Sequence, residues 1–205
     1  MGQRRLPNIA ITGKMRSGKD EVAKYLVSRY GYTRFAFADE LKRYYHELFG
    51  RADAKPREGY QWFGQVMRER DPDIWVRKCF DAINRRRYYC LEHEEDEDNF
   101  RCVISDLRQP IEYDRCRKEG FIIVRVNCPD HIRLARARKA GDAFTEEDMG
   151  HETEQRVDNF KVDFEIDNGR TLDETYRQID NVMRSLTVAE SQVYGNDCPN
   201  GMCDV

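Results

Sequence analysis

The sequence contains no apolar run of membrane-spanning length, and its first residues lack the apolar core of a secretory leader. Neither an anchor nor a leader is expected, and the cytoplasm is the expected location. An excess of one charge sign is also missing. The 35 Lys and Arg face 38 Asp and Glu, leaving a net charge of -3, which argues against a dedicated nucleic-acid binder. The cysteines lack the spacing of a zinc site: Cys79, Cys90, Cys102, Cys116 and Cys128 are scattered through apolar segments. Their odd total of 7 reads as reduced thiols. Cys198 and Cys203 could form a small disulfide or hold a metal, but a loose tail is the simpler reading. Internal repeats and low-complexity linkers are missing too, so 205 residues fit one domain. The chain does have 40% hydrophobic residues, enough for a core, and 36% charged residues, enough for a solvated surface.

The pattern alternates between strands and helices. Asn8–Thr12 reads as a strand, followed by a glycine-bounded loop, Gly13–Lys19. A helix follows, with Val22, Ala23, Leu26 and Val27 on one face, and ends at Gly31. Thr33–Phe37 is a second strand and Asp39 opens a helix that stops at Gly50. Residues 57–87 read as two helices broken near Pro72. Glu92–Asp98 is an acidic, solvated loop. Phe100–Ser105 is a third strand running into Asp106, followed by a helix over Pro110–Glu119. Phe121–Val126 is a fourth strand, and the charged stretch 130–160 contains a helix bearing Arg133, Arg136 and Arg138. Val162–Ile166 is a fifth strand, Leu172–Leu186 the last helix, and 187–205 a poorly ordered tail. This order predicts an α/β fold, a parallel sheet with helices on both faces. Ligands of such sheets bind beyond the carboxyl ends of the strands.

Gly13-Lys14-Met15-Arg16-Ser17-Gly18-Lys19 fits G-x-x-x-x-G-K between a strand and a helix, the context a phosphate loop requires. Glycines let backbone N–H groups turn toward phosphate oxygens, the helix N-terminus adds a favourable dipole, and Lys19 can reach the β- and γ-phosphates. A chance glycine-rich turn is the plain alternative, but the strand and helix around it count against that. The hydroxyl that usually follows the lysine and touches Mg²⁺ is absent: position 20 is Asp, which can hold the metal through water. Asp106, at the end of the third strand, can hold a metal-bound water or accept a proton, or can simply cap a helix. Asp39 can cap the helix that follows, or contact the neighbours of an acceptor phosphate or the reacting oxygen. Arg133, Arg136 and Arg138 suit the charge that develops in phosphoryl transfer, or an ordinary solvated helix face.

Gly13–Ala23 resembles the variant phosphate loop of the deoxynucleoside monophosphate kinases of bacteriophages and bacteria, where Asp commonly follows the lysine. Phe37-Ala38-Asp39-Glu40-Leu41-Lys42 resembles that family's Phe-Ala-Asp-x-Leu-Lys element. Asp106, Arg108, Pro110 and Glu112 match its Asp-x-Arg-x-Pro-x-Glu element, and His151, Thr153 and Glu154 its His-x-Ser/Thr-Glu element. Gln61, Gly64, Arg68, Asp71, Pro72 and Trp75 look like its acceptor-side helices. The resemblance spans about Asn8 to Leu186. It implies a five-stranded P-loop kinase domain over 1–186, with acceptor-binding helices at about 39–87 and an arginine-bearing lid at about 129–160. The chain departs from the family at Glu21, where Thr is common, in the acidic insertion and in the tail.

Residues and resemblance together suggest ATP + (d)NMP → ADP + (d)NDP with Mg²⁺. Gly13, Lys14, Arg16, Ser17, Gly18, Lys19 and Asp20 would hold ATP, helped by Arg138. Asp20 and Asp106 would hold Mg²⁺ through water. Lys19, Asp106, Arg133 and Arg136 would carry catalysis, the two arginines closing over the transferring group. Asp39, Lys42, Gln61, Arg68, Trp75, Arg108 and Glu112 would face the acceptor. The expected partner is a small molecule, neither nucleic acid nor membrane, and a homodimer stays open. Dephospho-coenzyme A kinase and animal-type phosphomevalonate kinase are rivals on the same fold. A regulatory protein that binds ATP without transfer is a rival of another class, and a nucleic-acid end kinase is disfavoured by the charge balance.

Overall fold

The computed structural model describes residues 6–51, 56–93, 100–141 and 156–193. The elements run β1 (Ile9–Thr12), α1 (Lys19–Tyr30), β2 (Thr33–Phe35), α2 (Phe37–Phe49), α3 (Arg57–Arg70), α4 (Ile74–Glu92), β3 (Cys102–Leu107) and α5 (Pro110–Lys118). They continue with β4 (Ile122–Asn127), α6 (Asp130–Lys139), a 3₁₀ turn at Val157–Asn159, β5 (Phe164–Asp167) and α7 (Leu172–Val193). The five strands form one parallel sheet in the order β2-β3-β1-β4-β5.

Strand β1 sits at the centre with all of its residues buried. Side chains alternate across a strand, so Ala10 enters one core and Ile9 and Ile11 the other. The first core joins Ala10, Ile104 and Ile123 to Val76, Cys79, Phe80 and Ile83 of α4 and Cys116 of α5. The second joins Ile9, Ile11, Val103, Val124 and Ile166 to Val22, Ala23 and Leu26 of α1 and Ile179 and Met183 of α7. A smaller cluster of Leu41, Phe63 and Trp75, flanked by Tyr44, Tyr45 and Tyr60, holds α2, α3 and α4 together away from the sheet.

Most expected elements are present, with strand bounds shifted by one or two residues. Helix α2 starts at Phe37, because β2 ends at Phe35 and the carboxylate of Asp106 accepts the N–H groups of Phe37 (2.8 Å) and Ala38 (3.1 Å). The break near Pro72 is real: Asp71 closes α3 in an extended conformation, accepts the N–H of Asp73 and pairs with Arg77 at 2.7 Å. The last helix is longer than expected. It runs to Val193, so 187–193 are helical rather than part of a loose tail; no Gly or Pro interrupts the sequence before Gly195. Cys79, Cys90, Cys102, Cys116 and Cys128 are free thiols. Among the described residues no helix is long and apolar enough to cross a membrane. The acidic stretch 94–98, the segment 142–155 with His151, Thr153 and Glu154, and Cys198 and Cys203 lie outside the described residues.

Trp75 needs a correction. It was expected to face an acceptor, but it is only 3% exposed and its indole N–H donates to the carbonyl of Gly64 at 3.2 Å. Its large apolar ring packs against Phe63 as one of the three buried members of the small helical cluster. Trp75→Ala is expected to cost about 3–5 kcal/mol of unfolding free energy in a denaturant titration. A loss under 1 kcal/mol would contradict this placement.

Candidate active site

The loop after β1 is shaped by three residues with positive φ: Gly13 (141°), Arg16 (60°) and Gly18 (99°). A Cβ on Gly13 would lie 2.5 Å from the carbonyl oxygen of Val126, and one on Gly18 would lie 1.9 Å from Nδ2 of Asn168. Both positions therefore require glycine for space as well as for backbone freedom.

Every carbonyl from Gly13 to Gly18 accepts a hydrogen bond. Lys19 Nζ donates to the carbonyls of Gly13 and Lys14, both at 2.8 Å. Arg133 Nε donates to Met15 at 2.8 Å. Arg136 Nη1 reaches the carbonyls of Arg16 and Ser17, both at 3.4 Å, and Asn168 Nδ2 donates to Ser17 at 2.7 Å. The Gly18 carbonyl takes the N–H groups of Glu21 and Val22 in α1. The first N–H groups of a helix have no intrahelical acceptor, so the N-terminus of α1 presents donors and a positive dipole end to an anion. Ser17 Oγ is buried without a hydrogen-bond partner and lies 3.0 Å from where a Gly13 Cβ would sit. An oxyanion in the loop would satisfy that hydroxyl, so the residues fit a phosphate chain.

The structure corrects the expected role of Arg133 and Arg136. Arg133 is only 1% exposed and is tied to Asp130 at 2.6 Å as well as to the loop. Arg136 also donates to the Asn168 carbonyl at 3.0 Å. Both are braces behind the phosphate loop, not arms free to swing over a ligand. Arg138, on the same helix, is exposed. Lys14 and Arg16 are half-buried on the loop, and Asp20 is exposed in the first turn of α1.

A second group of charges gathers at the ends of β2 and β3. Thr12 Oγ1 donates to the Leu107 carbonyl at 3.0 Å and fixes β3 beside the start of the loop. Asp39 pairs with Arg34 at 3.0 Å, and Arg34 Nε donates to Ser105 Oγ at 3.1 Å. Burial raises the proton affinity of Asp106, and Asp39 adds to this; the amides of Phe37 and Ala38 and the charge of Arg108 oppose it. Asp106 thus caps α2 across the fold while standing near Asp39 and Arg108. Gln61, Gly64 and Arg68 lie on one stripe of α3, with Gln61 exposed and Arg68 half-buried. Lys42 is half-buried on α2. Among the described residues, no group of three His, Cys, Asp or Glu could by itself hold a metal ion.

Glu112 is the second acceptor-side residue to correct. It is buried, and one of its oxygens, Oε2, accepts the N–H groups of Arg108 (2.8 Å) and Gln109 (2.9 Å). It shapes the turn that carries Arg108 instead of opening toward an acceptor. Sequence reading missed Arg34 and Asn168. Nothing in the pattern of β2 marks Arg34, whereas Asn168 stands at the carboxyl end of β5, where ligand loops are expected. Beside Gly13 and Lys14 lies a cavity of about 290 Å³, also lined by Arg125, Asp130, Asp158 and Asp167.

Burial, followed by the charge of Asp106, pushes the Glu112 carboxyl up to about 7. The folded chain therefore binds a proton that the unfolded chain has released above the ordinary value of 4.5, so stability falls as pH rises between these values. Glu112→Gln keeps an oxygen for the two amides and removes the charge. Melting temperature measured across this range should fall with pH in the wild type and have a flatter slope in Glu112→Gln. Equal slopes would rule out Glu112 as the titrating group.

Two solved structures have the same overall fold at low identity. A gluconokinase from Sinorhizobium meliloti 1021 superposes with a TM-score of 0.53 at 16% identity, covering 95% of this chain and 100% of its own. A shikimate kinase from Bacteroides thetaiotaomicron superposes with a TM-score of 0.51 at 12% identity, covering 88% of this chain and 98% of its own. No curated protein matches the sequence. The sequence itself matches a family described as AAA domain over residues 9–160, which takes in the phosphate loop, β1 to β4 and the helices between them. The chain belongs to that AAA domain family.

Proposed function

We propose that the chain transfers the γ-phosphoryl group of ATP to the phosphate of a nucleoside or deoxynucleoside monophosphate. One observation carries this reading: a phosphate loop and a cluster of Arg34, Arg108, Asp39 and Asp106 share the carboxyl end of one sheet. The loop is pre-shaped for a triphosphate. The cluster offers cations to a second anionic group and carboxylates to hydroxyl or base N–H groups.

In this reading the Lys19 ammonium leaves the carbonyls of Gly13 and Lys14 for the β- and γ-phosphate oxygens. An acceptor phosphate oxygen attacks the γ-phosphorus, and the bond to the bridging oxygen breaks, leaving its electrons on ADP. Mg²⁺ would neutralise phosphate charge when bound, with Asp20 and Asp106 as the carboxylates nearest in role to hold it through water. The acceptor phosphate is already ionised, so positioning and charge stabilisation dominate over base catalysis. Arg108 and Arg68 take the acceptor phosphate, and Asp39, Lys42 and Gln61 face its nucleoside. Arg133 and Arg136 act through the loop they hold, and Arg138 remains a contact for the nucleotide.

The gluconokinase and shikimate kinase neighbours suggest a second reading, a hydroxyl acceptor. That chemistry needs a base, and Asp39 in its pair with Arg34 is the candidate. ADP release from Mg·ATP separates the two when measured with each nucleoside monophosphate, then dephospho-coenzyme A, phosphomevalonate, gluconate and shikimate. Turnover on one or more nucleotides is expected, with Lys19→Ala losing roughly 10²-fold or more in kcat. Turnover confined to another acceptor would replace the substrate and keep the phosphoryl transfer. ATP binding without any turnover would point to a regulatory protein.

A further inference from the structure

Asp158 is an anion held against the phosphate loop. Its carboxylate lies 2.8 Å from the ammonium of Lys14, the loop residue that follows Gly13. The turn that carries it is pinned to the sheet. Arg125, on β4, donates through Nη2 to the carbonyls of Val157 (3.2 Å), Asp158 (3.1 Å) and Phe160, and through Nη1 to Glu165 at 2.9 Å. Arg125 is itself in register with Thr12, the residue before the loop. The carboxylate and the ammonium therefore start from fixed backbone positions, and both residues line the cavity.

The other carboxylates of that cavity already have partners. Asp130 is paired with Arg133 at 2.6 Å, and Asp167 Oδ1 accepts the N–H of Gly169 at 2.8 Å. Lys14 is the cation that Asp158 neutralises, and it belongs to the loop that would take a phosphate chain. Asp158 performs no chemistry in the proposed transfer, so its grip on a loop cation calls for another explanation.

We propose that Asp158 is a built-in competitor for the phosphate loop: it holds Lys14 in the nucleotide-free chain, and a triphosphate binds by taking Lys14 from it. This rests on the reading of Gly13–Lys19 as a triphosphate site. Each binding event breaks one ion pair and brings phosphate charge toward a carboxylate. The same carboxylate recaptures Lys14 when the spent nucleotide leaves, which favours release. The pair is partly exposed, with side chains 32% and 51% accessible, so the effect is modest and sensitive to salt.

The test is a titration of the full chain with ATP and with inorganic tripolyphosphate, at low and high salt, for wild type, Asp158→Asn, Lys14→Met and the double variant. Asp158→Asn should bind about three- to fivefold more tightly at low salt, and the gain should shrink at high salt. In the Lys14→Met background the gain should vanish. Unchanged or weaker binding by Asp158→Asn overturns the proposal, as does a gain of equal size without Lys14. A wild-type chain that binds neither probe overturns the phosphate-loop reading itself. If Asp158→Asn folds poorly by circular dichroism, Asp158→Ser removes the same charge and supports the same comparison.

Discussion

The carbonyl side of the phosphate loop is fully occupied, and the rest of the site depends on that. A peptide loop that turns its N–H groups inward must send its carbonyls elsewhere, and buried carbonyls need donors. Here Lys19, Arg133, Arg136 and Asn168 supply them. Two of these donors come from α6 and one from the loop after β5, so the cradle at the end of β1 is completed by elements more than a hundred residues downstream. The loop cannot take its shape until β4 and β5 are in place beside β1. Fold and site therefore form together.

The other half of the site is built by a similar long-range exchange. Asp106, at the end of β3, satisfies the first amides of α2, and Glu112 satisfies the amides of the turn just beyond it. Burial raises the proton affinity of both carboxylates, and the amides they cap lower it again. Burial and capping thus pull each carboxylate in opposite directions, burial toward the proton and the amides toward the charge. The charge of Arg108 favours the ionised form of Asp106 and that of Arg68 the ionised form of Glu112, and burial outweighs both.

The sheet was legible in the sequence because strands and helices each leave a periodic signature. The phosphate loop was legible because its glycines, lysine, strand and helix are contiguous. The resemblance picked out Asp106, Arg108 and Glu112, which the structure gathers just beyond β3, but it could not say which side chain would turn inward. Arg133 and Arg136 read as lid arginines closing over the transferring group because their acceptors are backbone carbonyls more than a hundred positions away, which no local pattern records. Trp75 misled for the opposite reason: a motif position says nothing about whether an aromatic ring faces a ligand or a neighbouring helix. The end of α7 was misplaced because apolar periodicity fades before the backbone helix does.

The helical layer of α2, α3 and α4 has its own apolar cluster, joined to the sheet through α4, which gives Trp75 to one core and Val76 and Cys79 to the other, and through the start of α2, where Phe37 enters the sheet core and Asp106 caps the first amides. Such a division lets part of a domain open without the whole unfolding. Amide hydrogens in α3 would then exchange by a lower-energy opening than those of β1, because losing the small cluster exposes far less apolar surface than losing the sheet. The molecule has a rigid half that holds the phosphate loop and a softer half that carries Gln61 and Arg68. Under the proposed function, substitutions in the softer half would alter the acceptor without disturbing the loop.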